Sequence, residues 1–176
     1  MFDEILRTAQ TCAYDFRRTA CPKDPLRHLF KVWVPYYQTK WAIVRVLQPK
    51  TILEVGVRFG YSALAFLKAC PRARYLGIDL DVDRFGGCRG AIGWARQMTW
   101  RYRADFVIAD SQRMESFFGG YYSLIHLDGQ QDERGITHDL TLALRQGEYV
   151  LVDGYFWNRE TFFNAIRVSV PTSRLD

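Results

Sequence analysis

The sequence predicts an α/β fold: a doubly wound, mostly parallel sheet with helices on both faces. Three observations lead there. From residue 51 onward, short β-type apolar runs alternate with helix-length amphipathic segments, the pattern that gives parallel strands joined by right-handed crossovers. The first run ends in a glycine loop that opens directly into a helix, Thr51-Ile52-Leu53-Glu54-Val55-Gly56-Val57-Arg58-Phe59-Gly60-Tyr61-Ser62. Each strand-length run also delivers an acid to its C-terminal end: Glu54, Asp79, Asp110, Asp128 and Asp153, all preceded by apolar residues.

At 176 residues with 48% hydrophobic and 24% charged side chains, the chain is sized and composed as one globular domain with a real core. No apolar run approaches the ~20 residues of a membrane span, and Met1-Phe2-Asp3-Glu4 lacks the layout of a signal peptide. Cys12, Cys21, Cys70 and Cys88 show neither Cys-x-x-Cys nor zinc spacing. They read as reduced thiols, and the expected location is the cytoplasm. The net charge of +5 resides in residues 1–50, which carry nine Lys/Arg against four acids. Such a surplus suits anionic substrates or nucleic acid, but a plainly solvated surface is the favoured reading.

In chain order, Phe2, Ile5, Leu6, Ala9, Ala13 and Phe16 are spaced as one helix face over residues 1–20. Cys21-Pro22-Lys23-Asp24-Pro25 breaks that pattern. An aromatic connection from Leu26 to Pro35 follows, then a helix over Tyr36–Leu47 with Trp41, Val44 and Leu47 inward. Strands are expected at 51–55, 75–79, 105–109, 122–127 and 149–152. The helices between them are expected at 61–69, 88–100, 114–118 and 135–144, with a last one over Glu160–Val168. Ligands of such sheets bind beyond the C-terminal strand ends, where the strand order reverses.

The glycine loop gives a helix N-terminus whose free N–H groups face that rim. Glu54, in a strand, needs a partner to offset its burial. Its expected work is to orient the loop or to meet a cationic ligand. The run Glu54-Val55-Gly56-Val57-Arg58-Phe59-Gly60 resembles the acid-x-Gly-x-x-x-Gly motif of class I S-adenosylmethionine-dependent methyltransferases, whose fold is Rossmann-like. The dinucleotide pattern Gly-x-Gly-x-x-Gly is not met. Asp128-Gly129, Gly135 and Asp139 extend the resemblance to small bacterial O-methyltransferase-like members with Asp-Gly after strand 4; Gln131 stands where that group carries His.

The resemblance implies a division into a helical extension or lid (1–50) and a cofactor-binding core (51–176). It implies S-adenosyl-L-methionine as cofactor, held by Glu54, Gly56, Arg58, Gly60, Tyr61, Ser62, Asp79, Asp110, Ser111 and Asp128. Asp79, 23 residues after Gly56, would take the ribose hydroxyls. Asp110 and Ser111 would read the adenine, although either also qualifies as a helix N-cap. The implied reaction is methyl transfer to a small-molecule hydroxyl, with Asp128 as first candidate for base, then Asp153 and His126. Asp128 and Asp153 are also candidate ligands of Mg2+, but Gly154 occupies the place where a third ligand would be expected. His126 shares a strand face with Asp128, and a hydrogen-bonded core histidine is the favoured reading of it over a catalytic one. Tyr36, Tyr37, Tyr155 and Trp157 are candidates to wall the acceptor pocket.

Two alternatives stand beside this reading. One is a nucleic-acid methyltransferase using the basic first 50 residues, although no Asn-Pro-Pro-Tyr-type motif follows strand 4. The other is a non-catalytic or partner-dependent domain, since only 23 residues follow Asp153 and Val168-Ser169-Val170 offers one short strand. The C-terminal strands are expected to be shortened or missing, and a homo-oligomer is expected to cover an open edge.

Overall fold

In the computed structural model, which describes residues 1–84 and 86–154, the element order alternates as expected. It runs α1 (Phe2–Gln10), α2 (Phe30–Leu47), β1 (Thr51–Val55), α3 (Tyr61–Ala69), β2 (Arg74–Asp79), α4 (Ala91–Thr99), β3 (Arg103–Ile108), β4 (Tyr122–Leu127), α5 (Glu133–Gln146) and β5 (Gly147–Val152). All pairings are parallel, in the order β3-β2-β1-β4-β5. The chain steps outward from β1 to β3 and then crosses back to β4. This places the switch point between β1 and β4. The helix expected over Glu160–Val168, the strand over Val168-Ser169-Val170, and Tyr155 and Trp157 lie outside the described residues.

Strand periodicity sorts the core into two layers. Ile52, Tyr75, Phe106 and Leu124 face Val44 of α2, Phe66 and Leu67 of α3, and Ile92 and Ala95 of α4. Leu53, Val55, Ile78, Ile125 and Leu127 face Ile136, Leu140 and Ala143 of α5. Glu54 and His126 are register partners and fall in phase with Ile52 and Leu124, on the α3 side of the sheet.

The N-terminal helices depart from the periodic reading. The first helix stops at Gln10, and Phe2 and Leu6 are exposed rather than inward. The Gln38 amide donates to the carbonyls of Cys12 and Tyr14 at 2.9 and 3.1 Å, satisfying an extended segment there. That segment carries Tyr14 and Phe16 into an aromatic cluster with Phe30, Tyr37 and Tyr61. The second helix begins six residues early, at Phe30, and runs through Pro35. Proline there removes one hydrogen bond near the helix start, while burial of Phe30 holds the first turn in place. Where a helix was expected at 114–118, there is a 3-10 turn at Ser111–Arg113 and then irregular chain. The Gln146 side chain fixes that chain through both backbone groups of Phe117, at 2.7 and 3.0 Å.

Candidate functional site: a strand-end rim and a buried charge ladder

Gly56 ends β1 with φ +87°, and a Cβ there would run into the Asp128 backbone. Its missing side chain lets the β1 and β4 ends close on each other at the switch point; the close approach is to protein. Gly60 (φ +74°) caps α3, and a Cβ there would meet the Ala95 Cβ at 2.6 Å. Among the described residues no side chain caps the start of α3.

Asp79 ends β2 and reaches back to this loop. Its Oδ2 accepts the backbone N–H of Val57 (2.7 Å) and of Arg58 (2.8 Å), and its Oδ1 accepts that of Asp81 (2.7 Å). A carboxylate has about four acceptor positions, so one remains for an outside donor. Arg58 sits in the left-handed region (φ +51°). Its guanidinium forms a two-point pair with buried Asp24, at 2.7 and 3.1 Å. The Tyr61 hydroxyl also donates to Asp24 (3.0 Å) and accepts the Cys21 N–H (3.0 Å). The N-terminal segment is thereby tied to the glycine loop, and Arg58 and Tyr61 hold it there.

Asp110 caps the 3-10 turn, accepting the Gln112 N–H at 3.1 Å, so the capping alternative holds for it. The Ser111 hydroxyl is buried and donates to Asp139 (3.1 Å), which also accepts the Gln112 amide (2.9 Å). Burial pushes the Asp139 carboxyl up to about 6, against the pull of the Ser111 hydroxyl. His138, half-buried, donates from Nε2 to the Ser111 carbonyl at 3.0 Å.

Behind the rim runs a buried ladder of charge. Glu54 is fully buried; the Ser62 hydroxyl donates to its Oε1 and the Tyr75 hydroxyl to its Oε2. His126 Nδ1 lies 2.9 Å from Glu54 Oε1, and His126 Nε2 lies 2.9 Å from Asp153 Oδ2. Asp153 Oδ2 also receives the Tyr36 hydroxyl and lies 2.5 Å from Lys40 Nζ. Lys40, itself only 3% exposed, reaches Asp128 Oδ2 at 3.6 Å. Burial alone would depress the imidazolium, but Asp153 and Glu54 outweigh it and hold His126 up at about 9. Burial likewise opposes the Lys40 ammonium, and the surrounding carboxylates more than restore it. Burial, aided by the Asp153 charge, raises the Asp128 carboxyl well above the usual range. Lys40 and His126 hold Asp153 well below it in spite of burial.

The ladder revises several expectations. Glu54 meets a cation, but the cation is the protein's own His126. Ser62 is spent on Glu54, which ties β1 to the first turn of α3. His126 has a carboxylate on each ring nitrogen, so the catalytic role expected of it has no free nitrogen to act through. Tyr36 does stand at the rim, 37% exposed and bonded to Asp153, whereas Tyr37 packs against Phe16 and Tyr61. Of the carboxylates beyond β4 and β5, Asp128 is the open one, its side chain 32% exposed against 11% for Asp153. Lys40 was missed altogether. Its signal was its phase: it lies four and seven residues before Val44 and Leu47, on the face already read as inward.

The sheet order and the acid-clamped loop at its switch point define a Rossmann-like α/β fold. At the sequence level no protein-family model and no curated protein matches. Solved structures do match in fold. The S-adenosylhomocysteine-bound methyltransferase PaMTH1 of Podospora anserina aligns with 17% identity and TM-score 0.56, over 88% of this chain and 63% of that one. The O-methyltransferase TomG of Streptomyces achromogenes, from tomaymycin synthesis and solved with S-adenosylmethionine, aligns with 16% identity and TM-score 0.56 over 95% and 75%. CalS11, a TDP-rhamnose 3′-O-methyltransferase of calicheamicin biosynthesis, aligns with 15% identity and TM-score 0.57 over 97% and 84%. The chain thus spans less than two thirds of the length of PaMTH1.

Proposed function

We propose that this chain binds S-adenosylmethionine at the β1–β4 switch point and transfers its methyl group to a hydroxyl of a small molecule. The observation that carries the reading is Asp79. Two of its backbone hydrogen bonds, from Val57 and Arg58, hold the Gly56–Gly60 loop against the β2 end; with the third, from Asp81, they leave one acceptor position for a ribose hydroxyl. The uncapped start of α3 is suited to a carboxylate. The buried Ser111–Asp139 pair beside β3 offers a polar edge for a base. The O-methyltransferases that share the fold were solved with this cofactor or its product in several cases, which supports the same ligand class here.

When bound, the cofactor supplies an electrophilic methyl group, and the chain's own residues align the acceptor and take its proton. Asp128 is placed for the proton: it is the exposed end of the ladder, and its raised affinity makes it a better base than an ordinary carboxylate near neutral pH. Lys40 and the Gln131 amide hold it, while Tyr36, His126 and Lys40 hold Asp153. Tyr36, over the same carboxylates, forms part of the acceptor wall. The magnesium site expected at Asp128 and Asp153 is a poor fit, because a buried ammonium already pairs with both. Four free cysteines agree with a reducing, cytoplasmic location, and among the described residues no helix is long and apolar enough to cross a membrane.

Calorimetric titration with S-adenosylhomocysteine tests the reading. The expected result is saturable binding by the wild type, weakened at least ~10-fold, or about 1.4 kcal/mol, in Asp79→Ala. No heat above dilution in the wild type refutes the cofactor, and binding unchanged in Asp79→Ala refutes the role of Asp79.

A further inference from the structure

Ligand atoms of His126, Asp128 and Asp153 lie within 4.8 Å of one another, a spacing that a divalent cation can span. The chemistry of the donors opposes that use. Both His126 nitrogens already face carboxylates of the protein at 2.9 Å, so neither is left open toward a metal. Asp153 Oδ2 already faces three donors: the Tyr36 hydroxyl, His126 Nε2 and Lys40 Nζ. Lys40 Nζ lies 2.5 Å from Asp153 and 3.6 Å from Asp128, where an ion bridging the two strand ends would stand.

The Lys40 stem cannot easily withdraw. Its ammonium lies 4.2 Å from the Tyr36 ring centre and 5.5 Å from that of Tyr37, and the residue is 3% exposed. Contact with ring faces favours a cation there. Formal charge also closes without a metal, since Glu54 and Asp153 balance His126 and Lys40 and leave Asp128 as the single carboxyl at the surface. An added divalent ion would meet two buried positive charges in a site that has surplus negative charge only at Asp128.

We propose that Lys40 is the resident cation of this rim: its ammonium occupies the divalent-ion position between Asp128 and Asp153, and the site works without a metal. Its meaning for catalysis rests on the methyl-transfer reading; the exclusion of metal rests on the side-chain geometry alone. Lys40 acts as a positioning residue, holding Asp128 and Asp153 at the spacing a bridging ion would otherwise impose.

The test uses Mn2+ as probe, followed by the electron paramagnetic resonance signal of the free aqueous ion, with S-adenosylhomocysteine calorimetry on the same samples. Wild type and Lys40→Arg are expected to leave the Mn2+ signal unchanged and to bind S-adenosylhomocysteine equally with and without EDTA. Lys40→Met removes the charge but keeps most of the stem, and is expected to take up Mn2+ at least ~10-fold more tightly than wild type. Mn2+ should also raise its melting temperature. Equimolar Mn2+ uptake by the wild type that disappears in Asp153→Asn overturns the proposal, as does a folded Lys40→Met that binds Mn2+ no better than wild type. Should Lys40→Met fail to fold, the wild-type and Lys40→Arg measurements decide it. Absence of S-adenosylhomocysteine binding sinks the methyl-transfer reading, and the Mn2+ result still decides this one.

Discussion

Replacing His126 by Gln should remove a specific portion of the stability that wild type loses in mild alkali. The imidazole is fully buried between Glu54 and Asp153, and these carboxylates raise it from 6.5 to about 9. A group whose affinity for the proton is higher folded than unfolded stabilises the fold fully below its unfolded value. That contribution is lost as the pH rises through its folded value. For His126 the window therefore runs from about pH 6.5 to about pH 9. At about 1.4 kcal/mol per pH unit, the shift corresponds to about 3 kcal/mol. Urea unfolding monitored by tryptophan fluorescence at half-unit steps across this range measures it. Wild type should lose about 3 kcal/mol more than His126→Gln over the window, so the variant's deficit is largest near pH 6 and shrinks toward pH 9. Asp128 and Asp153 titrate in the same network, and comparison of the two proteins removes most of their shared contribution. Parallel stability curves for wild type and variant would show that His126 is not the imidazolium of a charge ladder and would refute the electrostatic account of this site.

Gly56→Ala should destabilise by about 2–5 kcal/mol, because it combines a left-handed backbone with a Cβ driven into the Asp128 carbonyl; the urea midpoint at constant m-value measures this, and a loss under about 1 kcal/mol would mean the β1 and β4 ends separate easily. Asp128→Asn should bind S-adenosylhomocysteine as wild type does yet lower kcat for a hydroxyl acceptor by ~100-fold or more. A single-turnover assay with labelled S-adenosylmethionine reads this, and an unchanged rate would remove Asp128 as the base.

Much of the fold was legible in the sequence because it is written in short-range periodicity. The alternation of strands and helices, the five acids at strand ends and the glycine loop at Gly56 and Gly60 each need only neighbours along the chain to be recognised. That Glu54 shares a sheet face with Ile52, and His126 with Leu124, is also local, because strand side chains alternate faces; the register that makes Glu54 and His126 partners is not. The N-terminal region was harder for the same physical reason. Its amphipathic spacing suggested one helix to Phe16, and only the reach of Gln38 to Cys12 and Tyr14 decides that the helix stops at Gln10.

What a side chain at the rim does was decided by contacts between residues far apart in sequence. Arg58 and Tyr61 belong to the glycine loop by position, yet Asp24 claims them from more than thirty residues away. Asp128 and Asp153 looked like a magnesium pair until Lys40 came in from α2, more than eighty residues upstream. A strand end determines where a carboxylate stands, and that much is local. Its charge state and its partner depend on which buried groups share its low-dielectric surroundings, and only the packing of α2 and α3 onto the sheet brings those groups together.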